Sequence, residues 1–140
     1  MEMNYRLADQ SDLSAIIKVG DTLFDNPVKE NRVKEFLDDS RHHLFLAYHQ
    51  EEIVGMASGF HYIHPDKDPE LFINEVGVVD THQNHGIGQT LVRKLVEYGN
   101  DLLGCKSIWV LTNHSNEPAK KMYLAAGGKV EEERVLFVYE

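Results

Sequence analysis

Apolar residues recur along this chain with two periods, and the switches between them mark out its elements. Leu91, Val92, Leu95, Val96, Gly99, Leu102 and Leu103 fall on one stripe at helical spacing, with Arg93, Lys94, Glu97, Asn100 and Asp101 opposite. That pattern predicts an amphipathic helix, stopped by Gly104. Tyr5 to Ala8 reads as a short strand. Asp9 or Ser11 can cap a helix carrying Leu13, Ile16, Ile17, Leu23 and Phe24, broken at Asn26-Pro27. A shorter helix holds Val33, Phe36 and Leu37. Leu44 to Tyr48 and Ile53 to Tyr62 form a hairpin across His49-Gln50-Glu51-Glu52, followed by a polar loop from His64 to Pro69.

Further along, Phe72 to Val79 and Ser107 to Thr112 read as strands on either side of the stripe helix. Ser115 or Asn116 caps a last helix with Pro118 in its first turn, stopped by Gly127-Gly128. Val130 and Val135 to Tyr139 close the chain as strand. The resulting order is βααβββαβαβ(β), an α/β (α+β) mixed sheet flanked by helices. Phe72 to Thr112 is its one parallel strand–helix–strand unit, with a right-handed crossover.

At 140 residues and 42% hydrophobic, the chain is expected to form one compact domain, 1–140. Its formal charge of -9 argues against nucleic acid as a partner, which needs a clustered basic face, and suits a cationic small molecule. The single cysteine, Cys105, forbids an internal disulfide and favours a reducing compartment. No apolar run approaches membrane-spanning length, so no membrane partner and a cytoplasmic location are expected.

Chemistry concentrates in Gln83-Asn84-His85-Gly86-Ile87-Gly88-Gln89-Thr90, a glycine loop leading from a strand into the stripe helix. Exposed N–H groups at such a helix start suit an anion such as a pyrophosphate. Leu91 stands where a dinucleotide fingerprint needs its third glycine, and no Gly-Lys-Ser/Thr follows, so neither of those nucleotide folds applies. His61 and His64, like His82 and His85, are spaced i, i+3 without a helical setting or a cysteine partner. They read as surface residues, and no metal is expected. Cys105 packs as a small apolar group. Tyr123 lies on the buried stripe of Ala119, Met122 and Ala126, where a core tyrosine with a satisfied hydroxyl is the plain reading. Glu75, inside an apolar strand, is either an outward edge carboxylate or a base turned into a cleft.

Taken together, these segments resemble the GNAT superfamily of acyl-CoA-dependent N-acetyltransferases. Arg6-Leu7-Ala8 with Asp12-Leu13 and Ile16 is similar to its first strand and helix, and Gln83 to Gly88 matches its Q/R-x-x-G-x-G/A signature. Asn116, Tyr123 and Gly127 follow its asparagine–tyrosine–glycine segment. Within the superfamily the chain is most similar to the small aminoglycoside 3-N-acetyltransferases of the gentamicin and fortimicin type. The likeness lies in the Leu44 to Phe60 hairpin, the Asn74-Glu75-Val76-Gly77-Val78 strand and the Gly128 to Phe137 ending with Glu131-Glu132. Two departures stand out: Asn84 and His85 where many relatives have Arg or Lys, and Gly128 in place of an aromatic residue.

The resemblance implies a mostly antiparallel sheet, acetyl-CoA as co-substrate and a small-molecule amine as acceptor. Val78 and Val79 would bond the pantetheine arm, residues Gln83 to Thr90 the pyrophosphate region, and Asn116 the pantetheine end. Tyr123 would protonate the leaving thiolate, the Val78 N–H would serve the oxyanion, and Glu75 would act as base. Glu30, Asp66, Asp68, Glu70 and Glu131-Glu132-Glu133 could hold a polycationic amino sugar. A polyamine, an amino acid or a protein amine are competing acceptors, and a non-catalytic acyl-CoA-binding module is the alternative outside the enzyme class. Val135 to Tyr139 could pair with a second copy at a sheet edge, making a homodimer.

Overall fold

The computed structural model describes residues 1–140. Its strands are β1 (Asn4–Leu7), β2 (His42–His49), β3 (Glu52–Tyr62), β4 (Glu70–Val78) and β5 (Ser107–Val110); its helices are α1 (Leu13–Val19), α2 (Glu30–Asp38), α3 (Ile87–Asp101) and α4 (Glu117–Ala125). The strands lie side by side in chain order, antiparallel until β4 meets β5 in parallel. That one parallel step is the crossover carried by α3.

Each face of the sheet buries its own apolar cluster. On one side the α3 stripe sets Leu91, Val92 and Leu95 against Ala57, Leu71 and Ile73. On the other, Ile16 and Leu23 cover Leu44, Leu46, Ile53 and Met56. Cys105 is buried within the first cluster, where burial pushes its thiol above the usual range.

The first helix is shorter than expected. Gly20 ends α1 at φ 43°, its N–H bonding the Ile16 carbonyl. A 3-10 turn, Gly20–Thr22, then carries Leu23 on under the sheet. There the Leu23 carbonyl comes so close to Gly77 that a Cβ on Gly77 would stand 2.6 Å away. At the start of the chain, Asp9 caps the turn before α1 in a capping box with Asp12. The buried Asp12 carboxylate is also held by Arg6 and by the Tyr48 hydroxyl at 2.6 Å, tying β1, β2 and the first turn together. Burial and that bond lift the Tyr48 hydroxyl to about 12.

The expected closing strand is absent. Val130 and Val135 to Tyr139 lie outside any sheet and are between 64% and 93% exposed. A local β pattern becomes a strand only when a neighbouring edge takes up its backbone groups, and none of this chain's edges does so.

Candidate active site

A gap opens where β4 outruns β5. The two strands pair only over Glu70–Ile73 against Ser107–Val110, while β4 continues to Val78. A bulge starts the divergence: the β3–β4 register steps from Ser58↔Glu75 to Gly59↔Ile73, leaving Asn74 unpaired and bending the strand. Beyond the bulge, the Val79 N–H donates to the Val54 carbonyl at 2.9 Å, across the Gly55↔Val78 pair. Val78 is therefore a non-hydrogen-bonded partner of Gly55, and its own N–H and C=O point away from β3, into the gap. Gln83 Nε2 donates to that carbonyl at 3.1 Å and so fixes the following loop to the strand end. Val79 takes no part in the open edge, contrary to expectation. Its N–H serves Val54, and its carbonyl accepts from the His82 N–H.

At the end of the gap the glycine loop begins α3. Asn84 (φ 66°) and Gly86 (φ 76°) adopt left-handed conformations, and no side chain caps the helix. The N–H groups of Gly86, Ile87, Gly88 and Gln89 have no partner in the chain, so four donors meet the positive end of a fifteen-residue helix. Thr90, expected among them, is instead part of the helix ladder. Its N–H and its hydroxyl both donate to the Gly86 carbonyl, at 3.0 and 2.9 Å. The two glycines have different causes. Gly86 is needed for its positive φ, whereas a Cβ on Gly88 would stand 2.7 Å from Met122 Sδ of α4.

Helix α4 borders the loop from the other side. Asn116 caps it, its Oδ1 accepting from the Ala119 N–H at 3.2 Å, which leaves the Nδ2 donors free. Arg93 and Gln89 both donate to the Ala125 carbonyl, clasping α3 to α4. Tyr123 packs against the α3-side core, and burial holds its phenol above the ordinary range; the hydroxyl makes no hydrogen bond within the chain. Glu75 points to the opposite face, where Oε2 accepts from the Asp25 N–H at 3.2 Å. Tyr123 and Glu75 thus address β4 from its two sides.

Three of the four histidines read as surface residues are paired instead. His61 Nδ1 pairs with the Nε2 of buried His43 at 2.8 Å, His64 with Glu70 at 2.7 Å, and His82 with His49 at 2.9 Å. The last pair fastens the β2–β3 turn to the 3-10 turn (Asp80–His82) that leads into the glycine loop. His85 remains exposed beside Asn84. The expected acidic cluster is also dispersed. Glu30 pairs with Lys34, Asp68 with Lys106 and Glu70 with His64. Glu131 and Glu133 sit on the exposed last segment, where the Glu133 N–H bonds the Glu131 carboxylate.

Sequence reasoning missed an aromatic row. His42, Phe60, Phe72 and Trp109 are cross-strand partners on β2, β3, β4 and β5, with successive ring centroids 5.5, 5.6 and 4.7 Å apart. Leu71 and Ile73 face α3, so Phe72 and the row lie on the same side as Glu75. Trp109 ends the row, 40% exposed, its indole N–H donating to the Tyr62 hydroxyl. Aromatic residues at alternate strand positions were visible in the sequence, but only the register aligns them.

Comparison with known proteins gives this geometry a context. A family model described as Acetyltransferase (GNAT) family matches residues 13–127. An L-2,4-diaminobutyric acid acetyltransferase of Oceanobacillus iheyensis is 30% identical over 80 residues, covering 57% of this chain and 42% of that protein, so the match spans under half the relative's length. Among solved structures, an aminoglycoside acetyltransferase from an uncultured soil metagenomic sample, in complex with sisomicin, superposes with a TM-score of 0.86. It shares 18% identity over 99% of this chain and 95% of its own. AAC(6')-Iy, in complex with a bisubstrate analogue, gives 0.83 and 20% identity over 100% and 99%. The aminoglycoside neighbour named with its position is thus a 6′ type, not the 3-N type, and at these identities the likeness is one of fold.

Proposed function

This chain belongs to the acetyltransferase (GNAT) family, and from that premise we propose that it moves an acetyl group from acetyl-CoA directly to a primary amine of a small cationic acceptor. One observation carries the reading: the outward backbone of Val78 leads into the unmatched amides of Gly86 to Gln89. Together they form a line of donors and acceptors suited to a pantetheine amide followed by a pyrophosphate, and Gly86 leaves open space where a Cβ would project. When bound, acetyl-CoA supplies an acetyl thioester activated toward nitrogen.

The chain's own residues do the rest. Gly86, Ile87, Gly88 and Gln89 hold the pyrophosphate through backbone N–H groups, and exposed Asn84 and His85 flank it. The Val78 carbonyl keeps a lone pair for pantetheine beside the one taken by Gln83. Its N–H is the donor for the acetyl oxygen as charge develops there. Asn116 offers its Nδ2 donors to the pantetheine end. An amine with a pKa of about 10 arrives protonated, so a base must strip it; Glu75 does so from the α1 face. Tyr123, on the opposite face and kept protonated by burial, delivers a proton to the leaving sulfur. The acceptor lies between Glu75 and the aromatic row, where Trp109 and Phe72 receive a cation over their faces.

An aminoglycoside fits this description. The diaminobutyric acid acetyltransferase among the relatives favours an amino-acid amine as the second reading. A thiol-release screen with gentamicin, sisomicin, spermidine and 2,4-diaminobutyrate separates them. Calorimetric uptake of acetyl-CoA with no thiol released on any amine would leave a binding module and sink the transferase reading.

A further inference from the structure

Glu75, Phe72 and Glu70 stand in line along one side of β4. Leu71 and Ile73 face α3, so Glu70 and Phe72 face the other way, and the bulge at Asn74 brings Glu75 to that same side. Their partners on β3 are Ser58, Phe60 and Tyr62, alternate residues that share the side as well. Because β3 carries no extra residue there, the step from Ser58 to Tyr62 sets the Glu75 and Glu70 positions about 13 Å apart. Between them Phe72 and Trp109 form an aromatic floor, ring centroids 4.7 Å apart.

The Glu70 end of this line is held in place by the chain itself. Glu70 Oε2 pairs with His64 Nε2 at 2.7 Å, and both side chains are largely buried. The Tyr62 and His64 rings meet edge-on with centroids 5.1 Å apart, and the Tyr62 hydroxyl accepts the Trp109 indole N–H at 3.2 Å. Four side chains thus fix one another around the open end of the aromatic row. Desolvation works to raise the Glu70 carboxyl, but bonds from His64 and Ser107 outweigh it and hold the group below its ordinary range. Glu70 therefore carries its charge at neutral pH, and its partner is an imidazole, not a lysine or arginine.

Given acetyl-CoA in the β4–β5 gap and Glu75 as base, on which this rests, we propose that Glu70 sets acceptor specificity. It holds a second ammonium group about 13 Å from the amine that Glu75 deprotonates, with the body of the acceptor lying over Phe72 and Trp109. Two carboxylates at opposite ends of an aromatic floor select for length, whereas a single acidic pocket would select for charge alone. An extended chain advances about 1.25 Å per bond, so the nitrogens of 2,4-diaminobutyrate lie only roughly 5 Å apart and those of diaminodecane roughly 14 Å. The site therefore takes an extended polyamine, a linear chain or a multi-ring amino sugar, in preference to a diamino acid.

Thiol release with matched acceptors tests this. Each straight-chain diamine from diaminobutane to diaminodecane is compared with the monoamine of the same length, so that the apolar contribution of the chain cancels. The diamine-to-monoamine ratio of kcat/KM should rise about 10-fold along the series. Glu70→Gln keeps an oxygen for His64 and, with its fold checked by circular dichroism, should flatten that rise by lowering kcat/KM for the long diamines. Calorimetry on the wild type should show diaminodecane bound about 10-fold more tightly than decylamine. A ratio that stays flat with length, a rise that survives in Glu70→Gln, or equal binding of diaminodecane and decylamine would each overturn the inference, with thiol release still supporting the transferase reading. No thiol from any amine would remove both.

Discussion

Replacing the Tyr123 hydroxyl with hydrogen leaves its ring packed, so Tyr123→Phe isolates the proton delivery proposed for it. Steady-state kinetics should show kcat falling by roughly 100-fold with little change in KM for acetyl-CoA. Unchanged turnover would remove Tyr123 from that role. Glu75→Gln keeps the bond from the Asp25 N–H, because an amide oxygen accepts as a carboxylate does, but it cannot take a proton from the amine. The low-pH limb of kcat/KM should disappear, and a limb that persists would assign the titration to another group. The sequence offered both residues only as one reading among two. What decides between the readings is facing, and facing depends on neighbours far along the chain. Glu75 is turned to its side by the bulge at Asn74, a product of the register with β3, and is met there by the N–H of Asp25 fifty residues earlier; no local pattern holds that information.

Between elements, the least expected device is the pair of imidazoles joining β2 to β3. Burial lowers His43 from 6.5 to about 4 and lowers His61 as well, so this bond needs neutral rings. The unfolded chain binds a proton on His43 below about 6.5, while the folded chain resists doing so until about 4. Stability from His43 is therefore complete above about 6.5 and is lost as pH falls toward 4, by on the order of 3 kcal/mol. Thermal melts across that window should show Tm falling steeply, and His43→Phe should flatten the slope. A second test concerns the α3–α4 contact. Gly88→Ala drives a methyl against Met122 and should cost about 1–3 kcal/mol, while Gly88→Ala with Met122→Ala should recover part of it in denaturant titrations. Helix α3 was legible because its stripe is local and long. The end of α1 was not, because Leu23 and Phe24 continue the apolar spacing past Gly20 although the backbone has already turned. The histidine pairs and the aromatic row were hidden for a third reason: each joins residues that only strand register brings together.

For the molecule as a whole, the order of elements and the placement of the loop followed from periodicity, while the fate of the last segment did not. A β-prone apolar run does not by itself say whether a sheet edge receives it. No helix is long and apolar enough to cross a membrane. The charge of -9 belongs to the entire surface rather than to a built acidic pocket, since several of the acidic groups nearest the acceptor side are already paired. Attraction of a polycationic amine should therefore be diffuse and easily screened. Raising salt from about 10 to about 150 mM, which shortens the screening length from roughly 30 to 8 Å, should raise KM for such an amine several-fold and leave kcat nearly constant. A salt-independent KM would place recognition in short-range contacts alone.

Asn74 bears on all of this although it is neither charged nor reactive. Before it, the odd-numbered residues Leu71 and Ile73 face α3; after it, the even-numbered Val76 and Val78 do. Strict counting by twos from Leu71 would bury Glu75 in the oily layer and hand Val76 to water. One supernumerary amide resets the parity of the strand, so the side to which the proposed base is turned is decided by an insertion and not by the carboxylate itself.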